Sequence, residues 1–146
     1  MSSTGLDAFD KTLQTTHIWL DEVMDTVGPD RSVAWHVLGA VLRALRDRLP
    51  LELAAHLGAQ LPLLVRGTYY DQFRPGHMPE RSHTVDEFLA CVAVNLGGIR
   101  PLNVRQATRS VFAVVGKHVT LEQADKVKRA LPERIRELWP APGEAI

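Results

Sequence analysis

The side chains able to do chemistry in this chain are few and scattered. It has six histidines and a single cysteine, Cys91, in 146 residues. His77, Glu80 and His83 recur at intervals of three, a spacing that can bring metal ligands together. A zinc centre needs about four Cys, His or carboxylate ligands, usually announced by CxxC or HExxH. Neither motif is present, and Pro75 and Pro79 interrupt the run, so no metal ligand is assigned. His17, His36, His56 and His118 fall on separate segments and read as solvated or capping residues. Cys91 follows Phe88 by three on a helical pattern. With no neighbouring base or cation to activate it, it reads as an inert, half-buried thiol. One cysteine cannot form an internal disulfide, which fits a reducing compartment.

Two other clusters stand out. Tyr69-Tyr70-Asp71-Gln72-Phe73-Arg74 sets three aromatics beside two charges, next to His77. Such a segment can bind a peptide or a flat ligand, and Tyr70, Asp71, Arg74 and His77 could line a groove for a small ligand or a reaction. The same aromatics can equally pack as a lid over the core. The second cluster is Trp35-His36. From Val33 to Leu45 the only strongly polar side chains are His36 and Arg43. A helix apolar nearly all round is buried on several sides or forms an interface, for which Trp35 would be the anchor. Trp35, His36, Tyr69, Tyr70, Asp71, Phe73, Arg74 and His77 therefore form the candidate interaction surface. There is no GxxxxGK[ST], GxGxxG or GxSxG motif. No catalytic or cofactor-binding residue is assigned, and nothing positive supports an enzyme.

The elements that must position these residues are all helical. Leu6, Phe9, Leu13, Leu20, Met24 and Val27 predict a first amphipathic helix closed by Gly28-Pro29. Asp30 or Ser32 caps a second, with Ala34, Val37, Leu38, Val41, Leu45 and Leu49 inside. Leu53, Ala54, Leu57 and Leu61 predict a third, which Pro62 breaks. A short fourth runs from Pro62 to about Gln72. Residues 74–83 read as a loop or linker. Thr84 to Glu87 is a capping box opening a helix with Phe88, Leu89, Val92 and Leu96 inside. Asn103 to Gln106 and Thr120 to Gln123 open two more. Leu131-Pro132 breaks the chain again before a last short helix near Trp139, and residues 141–146 read as a frayed tail.

The breaks recur in order. At an offset of 69, Leu20, Val23, Val27 and Gly28 match Leu89, Val92, Leu96 and Gly97. At an offset of 70, Val41, Leu45, Leu49, Glu52, Ala54, Leu61-Pro62, Arg66 and Tyr69 match Val111, Val115, Val119, Glu122, Ala124, Leu131-Pro132, Arg136 and Trp139. Helical periodicity alone would align apolar positions, not a terminating Gly, a Leu-Pro break, a Glu and an Arg. The expected fold is all-α: two tandem helical repeats, about 6–73 and 84–140, packed as one domain with approximate two-fold pseudo-symmetry. Positions shared by the repeats serve folding, and a functional site should break the repeat.

Charge narrows the function classes. Lys and Arg total 17, as do Asp and Glu. Zero net charge disfavours a general nucleic-acid or membrane-surface binder. Residues 1–72 nevertheless carry 6 basic and 9 acidic side chains, and residues 73–146 carry 11 and 8, which keeps nucleic-acid binding by the second repeat as an alternative. The longest charge-poor stretch, Val33 to Leu42, is far shorter than the roughly 20 residues of a membrane span. No secretory pattern opens the chain at Met1 to Asp7. A cytoplasmic location is the expectation.

Ala34-Trp35-His36-Val37-Leu38 to Leu49-Pro50, Leu57-Gly58-Ala59-Gln60-Leu61-Pro62, Gly67-Thr68-Tyr69-Tyr70-Asp71-Gln72, Ala130-Leu131-Pro132 and Leu138-Trp139 together resemble the bacterial family called domain of unknown function 2267. The resemblance spans about Leu6 to Pro140 and departs at His17, where similar chains carry Asn. It implies a small, soluble, all-helical bacterial protein and no activity. The leading expectation is a non-catalytic protein–protein interaction module, with self-association favoured by the opposite charge of the halves.

Overall fold

The computed structural model describes residues 3–146; Met1 and Ser2, at the head of the stretch read as lacking a leader, lie outside it. Among the described residues there are eight α-helices and no strand. They are α1 (Asp7–Val27), α2 (Arg31–Arg48), α3 (Leu51–Ala59), α4 (Leu63–Tyr69), α5 (Val85–Leu96), α6 (Val104–His118), α7 (Leu121–Ala130) and α8 (Glu133–Arg136), with a 3₁₀ turn at Pro75–His77.

Local chemistry sets most boundaries. The Asp30 carboxylate accepts from the backbone N–H of Ser32 and Val33, taking up orphan donors of α2. Thr84 and Glu87 form the full capping box of α5, and Asn103 and Thr120 cap α6 and α7. Gly28, at φ 106°, ends α1, and Arg100 donates to the carbonyl of Val27 there. Pro62 and Pro132 stand at the N-caps of α4 and α8, each just after a buried Leu.

Helix α2 is the central element, packed against α1, α4, α5 and α6. Its expected face, Ala34 to Leu49, is buried throughout. Gly39 lets α4 approach, since a Cβ there would stand 2.7 Å from the Thr68 hydroxyl. Across the molecule α1 packs on α6, α2 on α5 and α3 on α7. One continuous apolar cluster runs from Trp19 to Trp139.

Three local expectations change, and the loop expected at residues 74–83 is found but held in place. The buried stripe of α1 is Thr16, Trp19, Leu20 and Val23, whereas Leu6 and Phe9 are 53% and 50% exposed, because the first turns of α1 project past the core. Helix α4 stops at Tyr69 rather than about Gln72, because Arg46 captures the carbonyls beyond it and Gln72 adopts φ 58°. Residues 74–83 are strapped down: Glu80 N–H donates to Asp47 O at 2.6 Å, and Arg48 Nε donates to Ser82 O at 2.7 Å. The tail is not free, since Glu144 pairs with Arg109 and closes a turn with Ala141.

Candidate functional site

The Tyr69–Arg74 segment is organised by Arg46, a residue the sequence reading passed over. Arg46 is 2% exposed. Its Nη1 donates to the carbonyls of Tyr69 and Asp71, each at 2.7 Å. Its Nε donates to Asp47 Oδ1 at 2.8 Å, and its guanidinium lies 5.2 Å from the Phe73 ring centroid. The carbonyls at the end of α4 would otherwise lack partners. Tyr69 is fully buried, and its hydroxyl donates to Ala54 O at 2.6 Å. Burial pushes its phenol pKa upward. Tyr69 is therefore a core residue rather than a contact surface. Tyr70 is half-buried, edge-on to both Tyr69 and Phe73, and packs over Gly58 so closely that a Cβ there would clash.

Asp71, Arg74 and His77 are exposed. Their side chains and that of Tyr70 share no hydrogen bond or ion pair among the described residues. Trp35 is half-buried against the core, and exposed His36 bonds through Nδ1 to Ser32 O at 2.8 Å. The eight residues are thus divided between a pinned core segment, a helix edge and a solvated loop. Among the described residues no group of three His, Cys, Asp or Glu side chains could hold a metal ion. Cys91 is half-buried, burial pushes its thiol pKa up, and its Sγ lies 3.7 Å from Ser82 Oγ.

A polar contact between helices distant in sequence lies elsewhere. His118, at the end of α6, bonds through Nε2 to Glu22 of α1 at 2.7 and 3.1 Å. Its ring stacks on Trp19 at 5.2 Å, and Lys117 reaches the same carboxylate at 3.2 Å. Beside it a cleft of about 500 Å³ opens between α1 and the α3–α4 junction. The ionisable residues lining it, Lys11, Arg66 and His118, are all basic. Arg66 is tied to the end of α3, donating to Gly58, Ala59 and Leu61 carbonyls. Next to the cleft lies an apolar recess of Phe9, Leu13, Leu63 and Leu64; Leu63 is 55% and Leu64 40% exposed.

The family described as uncharacterized conserved protein DUF2267 matches residues 16–138. The chain belongs to this family. A DUF2267 chain carries no activity in its family description. This one is also 32% identical over 108 residues, 67% of its length, to the S-adenosylmethionine synthase of Leifsonia xyli subsp. xyli (strain CTCB07). It spans 26% of that protein's length. No helix is long and apolar enough to cross a membrane among the described residues.

Glu22 and His118 are 96 positions apart, so no local motif joins them. One signal was available. At the repeat offsets Glu22 falls opposite Cys91 and His118 opposite Arg48, two polar positions at which the repeat breaks.

Proposed function

We propose that this DUF2267 protein is a non-catalytic protein–protein interaction module whose contact face is the α1–α4 end. The carrying observation is the exposure of Phe9, Leu63 and Leu64 together around one apolar recess, with exposed Leu6 just before α1. Contiguous exposed apolar side chains mark interaction sites more often than scattered ones do. Exposed Asp7 and Lys11 flank Phe9 on α1, so the face carries both signs of charge. A two-fold interface requires such self-complementarity, and a second copy of the chain is the simplest occupant. The Trp35–His36 edge of α2, with Asp71, Phe73, Arg74 and His77, is a second candidate surface of the same module.

The nucleic-acid alternative draws less support. In the second half Arg109, Lys117 and Lys126 pair with carboxylates, and Arg136 donates to carbonyls of Arg129 and Leu131. The similarity to an S-adenosylmethionine synthase covers too little of that protein to lend its activity.

We further propose that the chain is one domain built from two copies of a helical unit. The matching grips of Arg66 on Leu61 O and Arg136 on Leu131 O support this, as does the reciprocal packing of α1 on α6 and α2 on α5. The test of the interaction reading is sedimentation velocity over a wide concentration range. Wild type is expected to self-associate, and Phe9→Glu with Leu64→Glu to abolish this without loss of helicity. A wild type that stays monomeric at high concentration, indistinguishable from the variant, removes the basis of the homodimer.

A further inference from the structure

The two ends of the molecule differ at a pair of related positions. Arg46 has Gly116 as its counterpart 70 residues on. At the first end the Arg46 guanidinium and the Tyr70 and Phe73 rings fill the space beside α2 and α3. At the second end Gly58 is replaced by Lys128 and Tyr70 by Pro140. A Cβ on Gly116 would stand 3.1 Å from Trp139 Nε1, so the absent side chain is what admits the indole. A cleft of about 310 Å³ remains, walled by α6, α7 and the segment after Trp139. That is within the range of small-molecule sites, about 300–1,000 Å³.

The wall formed by the C-terminal segment is a built one. Gly143 turns at φ 79°, Glu144 N–H donates to Ala141 O at 2.9 Å, and the Glu144 carboxylate is held by Arg109 and by the Ala141 N–H. Arg109 first, and then that N–H, keep the Glu144 pKa below the ordinary carboxylate range. Glu144, the one lining carboxylate among the described residues, is therefore engaged by partners of its own. The other polar side chains lining it, Lys117, Lys128 and Trp139, are donors or cations. Trp139 is 9% exposed, and its indole N–H has no protein acceptor among the described residues. Lys128 Nζ lies 5.7 Å from the Trp139 ring centroid and pairs with no carboxylate among the described residues. Lys117 stands at the rim, bonded to Glu22. Leu121, 70% exposed, and Pro140 supply apolar walls.

We propose that this cleft binds a small, flat, apolar carboxylate. Its body lies along Leu121, Pro140 and the Trp139 edge, and its carboxylate sits between the indole N–H and the Lys128 ammonium. The indole N–H opens on the cleft and has no protein acceptor among the described residues, and a charge-assisted bond to an anionic oxygen is stronger than the bond to water it would replace. The basic partner and the absence of a free lining carboxylate exclude a cationic ligand.

The test titrates the full chain with 4-phenylbutyrate and, in parallel, with the neutral 4-phenylbutanol, following the indole N–H resonances by NMR. The Trp139 signal is assigned with Trp139→Phe. Saturable movement of that signal is expected, with the acid binding about tenfold more tightly than the alcohol. Lys128→Gln is expected to bring the acid down to the affinity of the alcohol. Leu121→Glu, a change at an exposed helix start, removes an apolar wall and places a repelling carboxylate at the rim, and is expected to weaken both ligands, the acid several-fold more than the alcohol. Equal binding of acid and alcohol by wild type, or a Trp139 resonance that does not move, overturns the proposal. So does unchanged acid affinity in both folded variants.

Discussion

Arg46 shows how much a single side chain decides here. Its guanidinium replaces the missing helical partners of the carbonyls after α4 and keeps Phe73 in place. Arg46→Met keeps the stem and leaves those carbonyls without a donor. It should lower stability by about 3 kcal/mol, measured by urea denaturation, and expose Tyr69 to quenchers. The Thr84–Glu87 box makes a second prediction. Backbone N–H groups of His83 and Thr84 and the Thr84 hydroxyl hold the Glu87 carboxyl below its ordinary 4.5. A folded-state pKa below the unfolded one means this contribution is complete above the unfolded pKa. It is lost as pH falls through the folded pKa. Thr84→Ala should cost about 1 kcal/mol at neutral pH, return Glu87 toward its ordinary pKa in an NMR titration, and flatten the acid limb of the stability profile.

At the scale of elements, helix capping was legible because its chemistry is local. Asp30, Thr84, Asn103 and Thr120 all cap as their sequence context predicts. The inward face of α1 was less legible. Phe9 and Trp19 have equal claims to the core by residue type, and only the reach of α6 chooses Trp19. The same packing joins His118 to Glu22. A double-mutant cycle of Glu22→Gln and His118→Phe should give a coupling of about 1 kcal/mol. Its absence would mean that the contact holds α1 and α6 no better than the Trp19 stack alone. The candidate site was only partly legible for the same reason. Tyr69 to Arg74 can be read as a polar aromatic cluster, yet Arg46, which decides whether it is a core segment or a surface, lies 23 residues from Tyr69.

For the whole molecule, the opposite net charges of the halves come with direct links between them. Lys117 and His118 of the second half meet Glu22 of the first, and Gln60 accepts from the Thr120 N–H at 2.8 Å. Helices α1 and α2 find much of their packing on α6 and α5. Separate fragments 1–83 and 84–146 should each show little helicity by circular dichroism, and mixing them should restore it. Two independently cooperative fragments would instead mean that each half carries its own core.

The sequence alone determined the helical class, the order and most ends of the helices, and the strings that place the chain in DUF2267. Periodicity, caps and Leu-Pro breaks act within a few residues of themselves. Tertiary structure decided which polar residues matter. Arg46, the Glu22–His118 contact and the cleft left by Gly116 each arise where segments distant in sequence meet. A residue's burial and partners at such a meeting depend on the neighbouring helix, which local spacing does not encode.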